Sequence, residues 1–117
     1  MPECIFCQII HKTQAADIVM ERGDIVVFKD IKPKAPVHLL IVPKKHVESV
    51  ISLGREDREM VADLIYTARD AAREYGLTGY RLSFNVGREG GQIVDHIHLH
   101  LLGGWRNGYG DEMQVNR

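Results

Sequence analysis

His96-Ile97-His98-Leu99-His100-Leu101-Leu102 is the stretch on which the reading of this chain turns. Three histidines alternate with aliphatic residues, and alternation over this length predicts a half-buried β-strand. Successive strand side chains point to opposite faces. The three imidazoles are therefore expected on one face, with Ile97, Leu99 and Leu101 turned to the core. Same-face neighbours stand roughly 6.5–7 Å apart, a spacing that suits a row of groups gripping one anion or metal. A merely solvated face would be served by Thr, Lys or Glu. The histidines are interleaved and internal, which excludes an expression tag. Three uses stay open: metal binding, attack on phosphorus, or some of each.

Working outward, Gly87-Arg88-Glu89-Gly90-Gly91 reads as a turn before this strand, and Tyr80–Val86 alternates as its antiparallel partner. Arg55 to Tyr75 is the one long helix, with Val61, Leu64, Ile65, Ala68, Ala71, Ala72 and Tyr75 as its apolar stripe. Acidic residues crowd its first turns, and Gly76 stands at the expected C-terminal cap. Further upstream, Val37–Val42 is a strand ended by Pro43, Ile25–Phe28 another, and Ile18–Met20 a short third. His38, Leu40 and Val42 share one face; Leu39 and Ile41 share the other. Ile5–Ile10 suits a short helix. The predicted class is α+β: a single domain over residues 1–117, an antiparallel sheet with one long and one short helix. The stretch 105–117 reads as an irregular tail.

Composition excludes several classes. A formal net charge of −1 gives no nucleic-acid-binding surface, and no apolar run is long enough to span a membrane. The opening Met1-Pro2-Glu3-Cys4 has no signal core, so a cytoplasmic location is expected. Cys4 and Cys7 form a C-x-x-C pair with no strand before it, which speaks against a thioredoxin-like redox motif. A reducing compartment disfavours a disulfide. Half of a zinc site fits best and needs two more ligands.

Neutral imidazole is a good nucleophile toward phosphorus near neutral pH, its unperturbed pKa being about 6.5. To attack through one nitrogen, the other must be held as N–H by an acceptor. The glycine-rich segment before the strand lets backbone approach an anion, but no Walker-type Lys-Ser/Thr follows it.

The H-φ-H-φ-H-φ-φ segment resembles the signature of the histidine-triad superfamily of nucleotide hydrolases and transferases, φ being apolar. So do, in order, Cys4-Ile5-Phe6-Cys7, Phe28-Lys29-Asp30-Ile31, Ala35-Pro36-Val37-His38, Val42-Pro43-Lys44-Lys45-His46, Asn85-Val86-Gly87 and Gly90-Gly91-Gln92. The resemblance covers about residues 3 to 104 and is nearest the purine nucleoside phosphoramidase branch. It implies that His98 is the nucleophile, taking a nucleoside monophosphate as a covalent adduct that water releases. His100 and His38 would flank the phosphate, His100 also handling the leaving-group proton. Asn85, Gln92 and the backbone near Gly91 would line the phosphate pocket. Asp30 would accept hydrogen bonds from the ribose hydroxyls, and Phe6, Ile9, Phe28 and Ile31 would form an apolar slot for the purine. Read without the resemblance, Phe6, Ile9 and Phe28 are core, and Asp30 is a turn residue. In zinc-containing relatives the C-x-x-C pair joins two histidines whose counterparts here are His46 and His96. Cys4, Cys7, His46 and His96 would then make a closed structural zinc site. The resemblance also implies a homodimer.

Two features depart from the pattern. Ile93 stands where relatives often carry Ser or Thr, and Trp105 follows Gly104 sooner than the family's tail tryptophan. The implied function is cleavage of purine nucleoside 5′-phosphoramidates or related nucleotidyl adducts. The rivals are a regulatory nucleotide binder with incidental catalysis, a dinucleoside polyphosphate hydrolase, and a metal-dependent hydrolase using the histidine row as ligands.

Overall fold

The computed structural model describes residues 4–105, so expectations for residues 106–117 lie outside the described residues. The elements are α1 (Ile5–Ile10), β1 (Ile18–Arg22), β2 (Ile25–Lys29), β3 (Val37–Pro43), α2 (Arg58–Glu74), β4 (Tyr80–Ser83) and β5 (Leu99–Gly103). The strands form one sheet in the order β1-β2-β3-β5-β4, every neighbouring pair antiparallel. This is the α+β arrangement expected from the sequence, with one long and one short helix.

Alternation along β2 and β3 divides the interior in two. Ile25, Val27, Leu39 and Ile41 join Leu99 and Leu101 against Leu64, Ala68, Ala71 and Ala72 of α2. Val26, Phe28, Leu40 and Val42 pack on the other face against Phe6 and Ile9 of α1. The sheet is thus sandwiched between the helices. His100 lies directly across from Leu40 in the β3–β5 register, so it shares the α1 face. That placement brings the histidines to the crevice between sheet and short helix.

Three boundaries differ from the sequence reading, each for a local reason. The histidine segment is not a strand over 96–102: regular pairing begins at Leu99, opposite Ile41. Pro43 has no N–H to contribute, and its carbonyl instead accepts a hydrogen bond from the His96 ring at 2.8 Å. The Ile97 amide goes to the Val47 carbonyl, at 2.7 Å. The long helix starts at Arg58, because residues 55–57 form a tighter single turn capped by Asp57, whose carboxylate accepts the Gly54 N–H at 2.9 Å. Along α2, Thr67 is buried while Ile65 and Tyr75, expected on the stripe, are 44% and 37% exposed. Spacings of 3, 1, 3 and 1 from Leu64 to Ala72 make a narrow face, and Ile65 lies about 100° off it. Strand β4 stops at Ser83 rather than Val86, where the chain turns into the 84–98 loop. The helix stop was legible: Gly76 has φ +70°, its N–H bonds to Arg73 O, and the Leu77 N–H bonds to Ala72 O. Both bonds together make a Schellman cap. No helix among the described residues is long and apolar enough to cross a membrane.

Candidate active site and metal centre

A cavity of about 680 Å³ opens between α1, the end of β2, the 30–36 loop and the 84–98 loop. Of the residues singled out in the sequence, Phe6, Ile9, Phe28, Asp30, Ile31, Asn85, Gly91, His98 and His100 line it. Phe6 meets His98 edge-on at 5.0 Å between ring centroids and Phe28 at 5.4 Å. Phe6, Ile9 and Phe28 are therefore both core and wall. Ile31 is 92% exposed and Ile93 82%, two aliphatic side chains at the rim from different loops.

Hydrogen bonds fix the state of each imidazole. His98 Nδ1 lies 2.7 Å from the carbonyl oxygen of His96. A carbonyl only accepts, so Nδ1 carries the proton and Nε2 keeps its lone pair. The Lys34 backbone N–H donates to His38 Nδ1 at 3.0 Å. His38 must then hold its proton on Nε2, which lies 3.0 Å from His100 Nδ1 and 3.3 Å from an Asp30 oxygen. His100 accepts at Nδ1, and its own proton sits on Nε2. Burial pushes the pKa of His98 below the ordinary range, and that of His38 too, although Asp30 pulls His38 the other way. Burial, reinforced by His98 and His38, lowers His100 to about 4. All three rings are neutral at pH 7.

Two expected phosphate neighbours take other positions. His38 does not line the cavity: it is buried behind His100 and acts on it through the hydrogen bond just described. Gln92 is 3% exposed and also absent from the wall. Its Oε1 accepts the Gly87 N–H at 2.9 Å, and its Nε2 donates to Glu48 O and Val94 O at 2.7 and 3.0 Å. All its polar capacity goes into shaping the loop. The Gly91 N–H is likewise spent on Arg88 O, at 3.0 Å. What Gly91 supplies is room, since a Cβ there would lie 3.1 Å from Asn85 Nδ2, at a φ of +89° that side chains avoid. Asn85 Nδ2 donates to Gly90 O at 2.9 Å.

Beside this crevice stands a second cluster. Cys4 Sγ is 3.4 Å from His96 Nδ1; Cys7 Sγ is 3.3 Å from His46 Nδ1 and 3.6 Å from His96 Nδ1. The two Nδ1 atoms are 3.1 Å apart, and the four donor atoms all lie within 4.8 Å of one another. Tetrahedral zinc, at ~2.3 Å from sulfur and ~2.0–2.1 Å from nitrogen, separates its ligand atoms by roughly 3.3–3.8 Å. The set fits such an ion. His96 Nε2 donates to Pro43 O, which turns the Nδ1 lone pair toward the sulfurs, the outer hydrogen bond a metal-binding histidine needs. Asp30, His38 and His100 also bring three donor atoms together. There the Lys34 amide occupies His38 Nδ1 and puts a proton on Nε2, so that trio is arranged for a hydrogen bond rather than an ion.

An acceptor for the nucleophile's second nitrogen was expected, but residue types do not single out the main-chain atoms that serve here: the Lys34 amide and the carbonyls of Pro43, Val47 and His96. The sequence reading also missed the clasp formed by Arg88, which donates to both Asp95 oxygens at 2.8 and 3.0 Å and to Gln92 O at 2.6 Å. The signal for Pro43 was present, since a proline at a strand end forces its neighbour out of the ladder.

Residues 3–114 match a family model described as scavenger mRNA decapping enzyme C-term binding. Protein HitA of Neisseria gonorrhoeae is 40% identical over 104 residues, covering 88% of this chain and 97% of its own length. The crystal structure of a HIT family hydrolase from Legionella pneumophila is similar with a TM-score of 0.86 at 46% identity, over 89% of this chain and 95% of that one. A zinc-bound histidine triad family protein from Mycobacterium smegmatis gives a TM-score of 0.79 at 28% identity, over 99% of this chain and 83% of that one.

Proposed function

This chain belongs to the histidine-triad (HIT) family, and from that premise we propose that it is a nucleotide-binding hydrolase. Its substrates on this reading are purine nucleoside 5′-phosphoramidates or related nucleotidyl adducts. The observation that carries the reading is the His98 ring, whose Nδ1–H is held by a carbonyl while Nε2 stays free in a cavity wall. Nε2 attacks phosphorus, and the bond from phosphorus to the leaving nitrogen breaks. His100, supplied with a hydrogen bond by His38, contacts the departing nitrogen and handles the proton it takes up. Water then opens the His98–phosphorus bond, releasing the nucleoside monophosphate and restoring the free imidazole.

The purine would enter between Phe6, Ile9, Phe28 and Ile31, with the ribose hydroxyls donating to Asp30. Asn85 and Gly91 would flank the phosphate, and Gln92 would hold their loop. Cys4, Cys7, His46 and His96 would bind one zinc ion whose work is structural. Assembly would be a symmetric dimer through the β4 edge and the exposed side of α2, where Ile65, Tyr66, Tyr75 and Tyr80 leave apolar surface.

A second reading has one observation in its favour. Lys32 and Lys34 line the cavity with no partner for either ammonium among the described residues, which suits a more anionic substrate such as a dinucleoside polyphosphate. A turnover panel separates the two. Adenosine and guanosine phosphoramidates, aminoacyl adenylates and dinucleoside polyphosphates are compared by kcat/KM. The proposal expects the phosphoramidates to lead; a clear lead for the polyphosphates would replace it with the second reading.

A further inference from the structure

We propose that Arg88 is a positioning residue of the reaction: it holds the 92–93 peptide so that the Ile93 N–H faces the reacting phosphoryl group. The proposal rests on the phosphoryl-transfer reading given above. Arg88 Nη1 and Nη2 donate to Asp95 Oδ1 and Oδ2 at 2.8 and 3.0 Å, and Nη1 also donates to the Gln92 carbonyl at 2.6 Å. A planar guanidinium suits this three-point grip, which a lysine ammonium cannot copy. Both side chains of the ion pair are mostly exposed, 64% for Arg88 and 59% for Asp95, so the pair adds little to folding stability. Its effect is on direction.

That effect is felt on the other side of the peptide. No described peptide bond is cis, so the Gln92 C=O and the Ile93 N–H point to opposite sides of one plane. With the carbonyl turned to Arg88, the N–H is turned away from it. Ile93 belongs to the cavity wall together with Asn85 and Gly91, whereas Arg88 does not. The neighbouring main-chain donors are already spent. The Gly90 and Gln92 N–H groups bond to Gly87 O at 3.1 and 2.9 Å, and the Gly91 N–H bonds to Arg88 O at 3.0 Å. The Ile93 N–H has no partner among the described residues. It is the amide this turn leaves free for a phosphoryl oxygen beside Asn85 and Gly91. A cation on the carbonyl also polarises the peptide and strengthens its N–H as a donor.

Three variants loosen the grip. Arg88→Ala removes it, Arg88→Lys keeps the charge without the fork, and Asp95→Asn takes away the carboxylate that orients the guanidinium. Two quantities are read. One is the shift of the Ile93 amide NMR signal on addition of adenosine 5′-monophosphate. The other is kcat and KM for an adenosine phosphoramidate and for both diastereomers of its phosphorothioate analogue, in which sulfur replaces one non-bridging oxygen. Sulfur is a weak hydrogen-bond acceptor. Adenosine 5′-monophosphate is expected to shift the Ile93 signal in wild type and much less in Arg88→Ala. On the oxygen substrate, Arg88→Ala is expected to lower kcat about 10–100-fold with KM within about threefold. One donor to developing charge is worth about 10²–10³-fold, and here it is misdirected rather than deleted. On one phosphorothioate diastereomer the loss is expected to shrink to within about threefold, because the contact is already weakened there. Arg88→Lys and Asp95→Asn are expected to fall between wild type and Arg88→Ala. A merely structural clasp would slow all three substrates alike, so equal losses on them overturn the proposal. So does kcat within about twofold of wild type with an unchanged Ile93 shift. If Arg88→Ala does not fold, Asp95→Asn is judged by the same two readings. Wild-type protein that turns over no phosphoramidate would defeat the proposed function instead. The Ile93 shift then decides alone, and a shift that is absent from wild type or identical in Arg88→Ala overturns the proposal.

Discussion

An imidazole is useful to phosphoryl chemistry only when its protons are on known atoms. In this chain a carbonyl and an amide settle that for two of the three rings, His98 and His38, and His100 follows from His38. The cost is burial, which has a pH signature. His100 has a folded pKa of about 4, against about 6.5 when unfolded. Between those values the unfolded chain binds the extra proton and the folded one does not. Stability from this group is therefore complete above about pH 6.5 and falls as the pH drops toward 4, by about 1–3 kcal/mol. Urea unfolding at pH 7 and pH 4.5 checks this, and His100→Gln is expected to flatten the difference. Gln92 makes a separate residue-scale prediction. Gln92→Ala leaves Gly87 N–H and two carbonyls without their partner, so it is expected to destabilise by about 1–3 kcal/mol. A lower urea midpoint at constant slope is the expected result.

Among the elements, α2 meets the sheet through Leu64 and three alanines that are at most 1% exposed. Leu64→Ala is expected to cost about 2–5 kcal/mol by opening a cavity, measurable by thermal or urea unfolding. The short helix α1 is held by different means, namely Phe6 and Ile9 against the sheet and its cysteines against His46 and His96. If these four donors bind zinc as proposed, chelation is expected to speed hydrogen exchange in α1 before α2. Elements with strong periodicity or explicit punctuation were legible in the sequence: Ile5–Ile10, the strand Val37–Val42 with its Pro43 stop, and the Gly76 stop. The start of β5 was not, because alternation at His96 and Ile97 persists where pairing has ended; the side chains keep their pattern while the backbone bonds go to Val47 and the Pro43 carbonyl serves a ring. Side-chain types also revealed the cavity residues, but not that His38 works through His100 or that Gln92 works through its loop. Those roles depend on which main-chain group lies opposite, and residue types do not carry that.

For the whole molecule, the sheet ends in two open edges, β1 and β4. The β4 edge, together with Ile65, Tyr66 and Tyr75 on α2, offers one surface that a second copy can cover around a twofold axis. Sedimentation at micromolar concentration is expected to give twice the 13.3 kDa chain mass, and a clean monomer would remove this assembly. The covalent route depends on His98 Nε2 in the cavity wall, so the decisive measurement is made on that atom. A labelled nucleoside phosphoramidate is mixed with the protein and quenched on the turnover timescale. Wild type is expected to give a labelled adduct that is absent from His98→Ala, with turnover abolished and nucleotide binding largely kept, while His38→Ala and His100→Ala are slowed by about 10²–10³-fold. Turnover by His98→Ala within about tenfold of wild type would contradict the covalent route and turn attention to a metal-bound nucleophile.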